Sequence, residues 1–285
     1  MIAGSFGAAA VRALRQGAAW VVRRLGRDAP LLRIARPGYE AALWVASGGR
    51  GIRSTINGVP CRLHHRFRWI PQTYEYDVAS FLARRVRPGA VCIDVGANVG
   101  LYVIQFAHWS QPTGQIVAFE PNPVARRTLV RHVRLNRLAH RVEVVPFAVG
   151  ERDGEATLHV TAFDGRSRLE LANPLVDAPS RPVTVRLTSL DGFCARRQLR
   201  PDWILIDIEG FELSALQGAR RTIEEGNPSL GLVVECHPSL WAVSHTSRRD
   251  FEGILADLHL EPTPLTGQHD PLSEYGVVHL RYRER

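Results

Sequence analysis

The chain has 285 residues, a length that suits one domain with an appended segment better than two full domains. Apolar residues make up 45% of it, enough for an ordinary globular core, and no apolar run approaches the roughly 18 residues of a membrane span. The net charge is +8 and every basic residue is an arginine, which genome composition explains better than function, although an anionic partner stays open.

The N-terminal stretch, residues 1–27, has five arginines and no acidic residue. Its apolar residues recur at helical spacing, at Val11, Leu14, Ala18, Val22 and Leu25. No charged segment precedes the apolar part, so the stretch does not resemble a secretory signal. The pattern predicts a helix that packs on the domain or on a partner. A helix on a membrane surface and a frayed basic tail are the alternatives.

A break at Arg36-Pro37-Gly38 and a β-hairpin are predicted next. Asn57-Gly58 separates the runs 52–56 and 59–63, and both turn residues tolerate positive φ. We therefore assign residues 1–70 to a helix and hairpin extension and residues 71–285 to the main domain.

Strands and helices alternate from Val91 onward, which predicts a parallel, doubly wound sheet. After the strand at Val91, further strands are predicted at 116–119, 142–147, 203–206, 230–235 and 276–282, with helices at 124–138, 211–221 and 248–259. Two short strands, 156–160 and 183–187, interrupt this order. The polar segment 161–182 is long for a structureless loop and is predicted to be a functional lid or a partly mobile segment.

The first strand leads through a glycine turn into an apolar helix, an arrangement that places bare backbone N–H groups beside a ligand. A dinucleotide-binding turn needs Gly-x-Gly-x-x-Gly, but Asn98 and Leu101 occupy the second and third glycine positions. A phosphate-binding P-loop needs a lysine, and the chain contains none. The dinucleotide turn therefore fits poorly, and a P-loop does not fit.

The residues fit S-adenosylmethionine (SAM) better. This ligand needs a carboxylate near its ammonium and sulfonium, a glycine turn for close approach, and an acid at the next strand end for its ribose hydroxyls. Asp94 supplies the carboxylate for the ammonium and sulfonium, and Gly96 and Gly100 form the turn. Glu120, 24 residues after Gly96, supplies the acid for the ribose hydroxyls. The combination predicts a SAM site.

Several ordered motifs resemble the FkbM family of SAM-dependent methyltransferases. They are Asp94–Tyr102, Phe119–Asn122, Leu190–Asp191, Ile206–Glu212 with Leu216–Ala219, and Val234–Pro238. The resemblance runs from about Tyr74 to Pro238. It implies an α/β fold with a Rossmann-like, mostly parallel seven-stranded sheet, as in class I methyltransferases, and O-methylation of sugars, glycans or natural products. Leu205 departs from the family pattern, which has a lysine there.

Cofactor contacts are predicted around the turn and the neighbouring strand ends. The residues are Glu75, Asp94, Gly96, Ala97, Asn98, Gly100, Tyr102, Glu120, Pro121, Asn122, Ala148 and Asp207. Glu75 is expected near the methionine end of SAM and Ala148 near the adenine.

The acceptor side of the reaction is predicted at Asp207, Glu209 and His237. Asp207 and Glu209, two residues apart after a strand, share a face, and Glu235 and His237 repeat that spacing after the next strand. Any of the three predicted catalytic residues can orient or deprotonate a hydroxyl, and a histidine titrates near neutrality. These groups also suit Mg²⁺ or Mn²⁺, but spacing does not separate metal binding from acid–base use, and no metal site is favoured.

Two alternatives to an O-methyltransferase remain: a non-catalytic SAM-binding scaffold and, less favoured because of Asn98, an NAD-type oxidoreductase. The expected partner is a small-molecule or glycan acceptor. Nucleic acid is not favoured, because the chain lacks the Asn/Asp-Pro-Pro-Tyr/Phe motif of amino-methylating enzymes. Four scattered cysteines without a Cys-x-x-Cys pair indicate reduced thiols and a cytoplasmic location, with peripheral membrane contact through the N-terminal helix as an alternative.

Overall fold

The computed structural model describes residues 3–26, 29–68, 70–161, 168–169, 180–225 and 229–283. The chain divides into two compact units, Met1–Tyr74 and Glu75–Arg285. No helix among the described residues is long and apolar enough to cross a membrane.

The first unit contains helices α1 (Ala3–Leu25) and α2 (Pro30–Ala46) and an antiparallel hairpin of β1 (Ile52–Ile56) and β2 (Val59–Leu63), followed by a 3₁₀ turn at His65–Phe67. Asn57 and Gly58 have φ of 48° and 82°, so the predicted hairpin turn is confirmed.

The predicted break at Arg36-Pro37-Gly38 is wrong, because α2 continues through it. Pro37 is the eighth residue of α2 and forfeits one intrahelical hydrogen bond. The following turn compensates by packing: Leu43 is fully buried, and Glu40 is buried while bonded to Arg36 and Arg66. Tertiary contacts therefore outweigh the local preference of proline.

The second unit is built on a seven-stranded sheet, whose spatial order is β12 (Leu260–Pro264), β13 (Gly276–Tyr282), β11 (Gly231–Cys236), β10 (Trp203–Ile206), β3 (Val91–Val95), β4 (Gln115–Phe119) and β5 (Val142–Val145). β13 runs antiparallel to both neighbours, and the other pairs are parallel. This confirms the predicted α/β class with a Rossmann-like, mostly parallel sheet. The order reverses between β3 and β10, where such sheets bind ligands at the carboxyl ends of their strands.

Helices cover both faces of this sheet. They are α3 (Tyr76–Ala83), α4 (Leu101–Trp109), α5 (Pro123–Leu135), α6 (Leu190–Arg197), α7 (Glu212–Gln217), α8 (Arg220–Glu224), α9 (Pro238–Trp241) and α10 (Arg248–Asp257), with a 3₁₀ turn at Ala242–Ser244. Successive residues of a strand point to opposite faces of the sheet and so enter two different apolar cores. Ile93 and Ile204 lie in one core, and Cys92 and Leu205 lie in the other. Leu205, where the family pattern has lysine, is thus an ordinary core residue.

A second sheet has the order β6 (Ala148–Val149), β9 (Ser180–Thr188), β7 (Gly154–Thr161) and β8 (Arg168–Leu169). The strand predicted over 142–147 ends at Val145, because Pro146 has no N–H for the ladder and the chain then joins this second sheet. Most of the predicted lid, residues 162–167 and 170–179, lies outside the described residues.

All four cysteines, Cys61, Cys92, Cys194 and Cys236, are free and buried. Burial raises the pKa of the Cys61 thiol and of the Cys194 thiol to about 11. The pKa values of Cys92 and Cys236 are raised further, first by burial and then by neighbouring carboxylates.

We predict that Gly218→Ala destabilises the second unit. Gly218 ends α7, and a Cβ there would lie 2.0 Å from the backbone oxygen of Gly150, so the backbone must move. Overpacking of this kind costs about 1–3 kcal/mol or more. Chemical denaturation measures the loss. Gly253→Ala is the control, because its Cβ meets nothing within 4 Å inside α10 and should stabilise by about 0.5–1 kcal/mol. Equal effects of the two variants would contradict the packing argument.

Candidate active site

Backbone hydrogen bonds join the glycine turn after β3 to the end of β4. The N–H groups of Gly96 and Ala97 both donate to the oxygen of Phe119, at 3.0 and 2.9 Å. Gly96 and Gly100 have φ of 87° and 85°, which only glycine adopts freely. A Cβ on Gly96 would lie 1.9 Å from the backbone oxygen of Asp207. The turn therefore touches the end of β10 and needs glycine on two independent grounds.

Glu120, at the end of β4, is fixed by the turn that it faces. Its Oε2 accepts from the N–H of Asn98 at 2.6 Å, and its Oε1 accepts from the N–H of Asn122 at 2.7 Å. Burial raises the pKa of Glu120 to about 7, although both N–H groups and Arg126 oppose this. Each carboxylate oxygen has a second lone pair, so the group can still accept from two neighbouring hydroxyls.

Asp94 is 3% exposed, and its Oδ2 and the Oδ1 of Asn98 are buried without a hydrogen-bond partner among the described residues. Burial and the charges of Glu120 and Glu75 raise the pKa of Asp94 to about 8. Buried acceptors without donors are costly, and a cationic ligand with donor groups would satisfy them. The residues present therefore fit SAM.

Three predicted site residues that are not glycine have left-handed backbones. Their φ angles are 43° at Glu75, 46° at Asn98 and 33° at Glu209. Such conformations cost of order 1–3 kcal/mol each and cluster at functional sites. The hydroxyl of Tyr102 donates to Oε2 of Glu75 at 2.8 Å, which ties two predicted cofactor contacts together.

Asp207 follows β10, and its carboxyl group is hydrogen-bonded to that of Glu235 at the end of β11. Burial, followed by the charges of Glu235, Glu75 and Glu209, raises the pKa of Asp207 well above its usual range. The hydroxyl of Tyr275 donates to Oε1 of Glu235. The structure thus brings acids from two strands and from the residue before α3 to one edge of the sheet.

Glu212 is a site residue to which the sequence analysis gave no role. It is fully buried. Its Oε1 accepts from the N–H of Gly210 at 2.8 Å and contacts Nδ1 of His237 at 2.7 Å, while its Oε2 accepts from Nε1 of Trp241 at 3.1 Å. An acid in the first turn of a helix is usually explained by the helix dipole, which hides this role in the sequence. The available signal was its place in the motif Ile206–Glu212.

His237 is positioned by that carboxylate. Burial alone would lower the pKa of His237, but the hydrogen bond to Glu212 and the charges of Glu212, Glu235 and Glu209 raise it. Because Nδ1 contacts Glu212, Nε2 is the ring nitrogen directed away from it. One ligand-capable atom from each of Asp207, Glu235 and His237 lies within 4.8 Å of the others.

Three further residues predicted to contact the cofactor, Pro121, Asn122 and Ala148, make hydrogen bonds or packing contacts within the protein. Asn122 caps α5 through Oδ1, which accepts from Val124 N–H at 2.8 Å, and the oxygen of Pro121 accepts from Arg126 at 2.7 Å. Ala148 lies in β6 and packs in the small core of the second sheet with Leu158. Direct cofactor contact by these three residues stays a prediction.

The fold and the turn are those of a Rossmann-like, SAM-dependent methyltransferase. A family model described as the methyltransferase FkbM domain matches residues 94–260, more than half of the chain. The chain therefore belongs to the FkbM methyltransferase family, as its motifs predicted.

Individual relatives match it over shorter stretches. The 31-O-demethyl-FK506 methyltransferase FkbM of Streptomyces tacrolimicus is 30% identical over 152 residues, which are 52% of this chain and 55% of that protein. The AMB antimetabolite synthetase AmbE of Pseudomonas aeruginosa is 36% identical over 99 residues, 35% of this chain and 4% of the synthetase. The chain thus spans about half or less of the curated relatives' lengths.

Among solved structures, methyltransferase FkbM from Methylobacillus flagellatus KT is similar at 18% identity and a TM-score of 0.46, covering 85% of this chain and 53% of that one.

We predict that SAM binds with micromolar affinity and that Glu120→Ala weakens binding about tenfold or more, because hydrogen bonds to a charged acceptor contribute about 1.5–3 kcal/mol. Isothermal calorimetry measures the affinity. Glu143→Ala, which removes an exposed carboxylate of β5 paired with Arg197, is the matched control. Unchanged affinity in folded Glu120→Ala would remove the ribose assignment.

We also predict that SAM affinity rises with pH. Asp94 and Glu120, with pKa values of about 8 and 7, retain protons that the unfolded chain loses at lower pH. They therefore favour folding at low pH, and this contribution is lost as the pH rises through 7 and 8. A cationic ligand favours the ionised Asp94, so binding should release protons between about pH 6 and 8. Calorimetry in buffers of different ionisation enthalpy detects the release; a flat profile without it would contradict the prediction.

Proposed function

We propose that the protein is an O-methyltransferase that transfers the methyl group of SAM to a hydroxyl of a sugar, glycan or natural-product acceptor. The observation that carries this proposal is the gathering of proton-accepting groups at the ends of β10 and β11. Asp207 belongs to this group, and its backbone oxygen is the atom against which Gly96 of the SAM turn packs. The cofactor turn and the proton acceptors thus adjoin each other.

The reaction defines what these residues must do. The acceptor oxygen attacks the methyl carbon in line with the carbon–sulfur bond, that bond breaks, and the hydroxyl proton leaves. SAM supplies the activated methyl group when bound. The protein must align the hydroxyl and take its proton, and alignment alone can supply several kcal/mol.

Asp207, Glu209 and His237 are suited to this task. A hydroxyl donates one hydrogen, and a carboxylate or a neutral imidazole nitrogen accepts it. The buried carboxylate of Glu212 fixes the ring of His237 at this edge of the sheet, where Glu209 has a left-handed backbone. Fixed acceptors reduce the reorganisation needed when the hydroxyl loses its proton.

The relative from Streptomyces tacrolimicus supports an oxygen acceptor, since its name describes methylation of the 31-oxygen of demethylated FK506. A SAM-binding scaffold without activity is disfavoured, because it would gain nothing from a strained acid and an oriented imidazole beside the cofactor. An oxidoreductase is disfavoured by the absence of the second glycine in the turn, where Asn98 stands.

We predict that Asp207→Asn retains SAM binding but loses turnover by about 100-fold or more, the usual size of a general acid–base contribution. A screen of hydroxyl-bearing acceptors with methyl-labelled SAM first identifies a substrate; calorimetry and the labelled assay then compare variants. Asp257→Asn is the control, because Asp257 lies exposed on α10 and pairs with Arg220. Full turnover by Asp207→Asn would transfer the proton-accepting role to Glu209 or His237. A wild-type protein that binds SAM but methylates no acceptor would favour the scaffold.

A further inference from the structure

Three side chains at the acceptor edge form a mixed oxygen and nitrogen donor set. One ligand-capable atom from each of Asp207, Glu235 and His237 lies within 4.8 Å of the other two. Donors bound to one ion at about 2.1 Å lie roughly 3–4 Å apart, so small side-chain rotations would close the set. The groups sit at the ends of two paired strands, β10 and β11, which hold their backbones in fixed register.

The imidazole is oriented as a metal ligand would be. Glu212 contacts Nδ1 of His237 at 2.7 Å and is fully buried. Gly210 and Trp241 hold Glu212 in turn by hydrogen bonds at 2.8 and 3.1 Å. A histidine that binds a metal almost always gives its other ring N–H to a carboxylate or carbonyl, which fixes the tautomer and the ring plane. Nε2 is therefore the nitrogen available to an ion.

The charges call for a cation at the same place. The carboxyl groups of Asp207 and Glu235 lie within hydrogen-bonding distance of each other, and Glu209 and Glu75 add negative charge around Asp207. Without an ion, two carboxyl groups this close share a proton, and a divalent cation would take the place of that proton. A divalent ion balances both charges, while the neutral imidazole adds affinity without adding charge.

We propose that Asp207, Glu235 and His237 bind one divalent cation of the Mn²⁺ or Mg²⁺ class, with Glu212 as the positioning residue for His237. Two carboxylates and one imidazole suit these ions and leave coordination positions open. One open position would hold the acceptor hydroxyl and make it more acidic, and with Asp207 and His237 bound to the ion, Glu209 would accept the hydroxyl proton. This role rests on the proposed O-methyltransferase function. The sequence did not favour a metal, because spacing alone does not separate metal binding from acid–base use; the carboxylate behind His237 is a feature that the fold adds.

The test is a titration of the full chain with Mn²⁺ after a chelator has removed bound metal. Electron paramagnetic resonance measures the Mn²⁺ that stays free. One site is expected. Glu235→Gln and His237→Gln should each weaken it at least about tenfold. Glu212→Gln should weaken it about 10- to 100-fold, although Glu212 does not contact the ion. Glu252→Gln, on the exposed face of α10, is the control and should bind normally. Circular dichroism confirms that each variant is folded.

The outcomes separate this proposal from the function on which it rests. No Mn²⁺ binding by the wild type, or equal binding by wild type, Glu235→Gln and His237→Gln, overturns the metal site. If the chelator-treated protein still transfers methyl groups at full rate, the enzyme stands and the metal role falls. If Mn²⁺ binds at these residues but no acceptor is methylated, the metal site stands and the proposed function falls.

A separate observation concerns the first unit. The structure describes nine exposed large apolar side chains, and six of them lie on α1 and α2: Trp20, Leu25, Leu31, Ile34, Trp44 and Val45. Leu31, Ile34 and Val45 fall within about 60° of one another around α2, at 100° per residue. α2 therefore presents an apolar stripe to solvent.

The neighbouring helix is basic. Arg12, Arg15, Arg23 and Arg24 of α1 are exposed, and α1 has no acidic residue. The guanidinium of Arg24 lies 5.0 Å from the centre of the Trp20 ring. Exposed apolar groups with arginines complement an anionic lipid surface. A second copy of the chain would instead bring like charges together. We infer that α1 and α2 bind to the surface of an anionic membrane without crossing it.

Co-sedimentation of the full chain with vesicles tests this. Binding is expected to vesicles of phosphatidylcholine with phosphatidylserine and not to phosphatidylcholine alone, and it should weaken with salt. Arg12→Gln and Arg15→Gln should each weaken it about fivefold, and Ile34→Ser should also weaken it. Arg249→Gln, exposed on α10, is the control. No binding to either vesicle overturns the inference, as does a concentration-dependent dimer that Ile34→Ser abolishes.

Discussion

The contact between Gly96 and the backbone oxygen of Asp207 is the constraint on which the site depends. No side chain fits between them, since a Cβ would lie 1.9 Å from that oxygen. The N–H of Asp207 donates to the oxygen of Val95 at 2.9 Å, so a backbone hydrogen bond also joins the residue after β10 to the last residue of β3, directly before the turn. The predicted cofactor turn and the predicted acceptor-side residue Asp207 therefore meet through backbone atoms. In the proposed reaction, the sheet itself would align the two reactants.

The carboxyl ends of the central strands carry several acids with raised pKa values. Burial raises the pKa values of Asp94, Glu120 and Asp207, and the charges of neighbouring carboxylates add to the rise at Asp94 and Asp207. Acids in this state destabilise the ligand-free protein near neutral pH, and a positively charged ligand relieves the cost. In the proposed reaction SAM would meet that need beside Asp94, and a divalent ion would meet it beside Asp207. The left-handed backbones of Asn98 and Glu209 add a second cost of the same kind. Stability is given up where binding restores it.

The sequence predicted the features that depend on local pattern. Asn57-Gly58 predicted the hairpin, and the order of apolar runs predicted the sheet. The sequence-based prediction was wrong where contacts with the rest of the fold determine the element. Helix α2 passes through Pro37 because of the burial around Leu43, and β5 ends before Pro146 although the apolar run predicted a strand to residue 147. The turn residues of the predicted site could be proposed from the sequence because each has a fixed spacing in the chain. Glu212 could not, because its partner His237 is 25 residues away and only the fold brings them together.

Because all four thiols are buried, the rate at which each is alkylated reports how often the structure around it opens. A thiol with a raised pKa and no access reacts slowly with alkylating reagents, so modification requires that its surroundings first separate. Cys61 lies in the hairpin of the first unit, whereas Cys92 and Cys236 lie in strands that lead into the site. Alkylation followed by mass spectrometry would therefore time the opening of the hairpin and of the central sheet separately, without any introduced label. Ligand that binds at the strand ends should slow the reaction of Cys92 and Cys236.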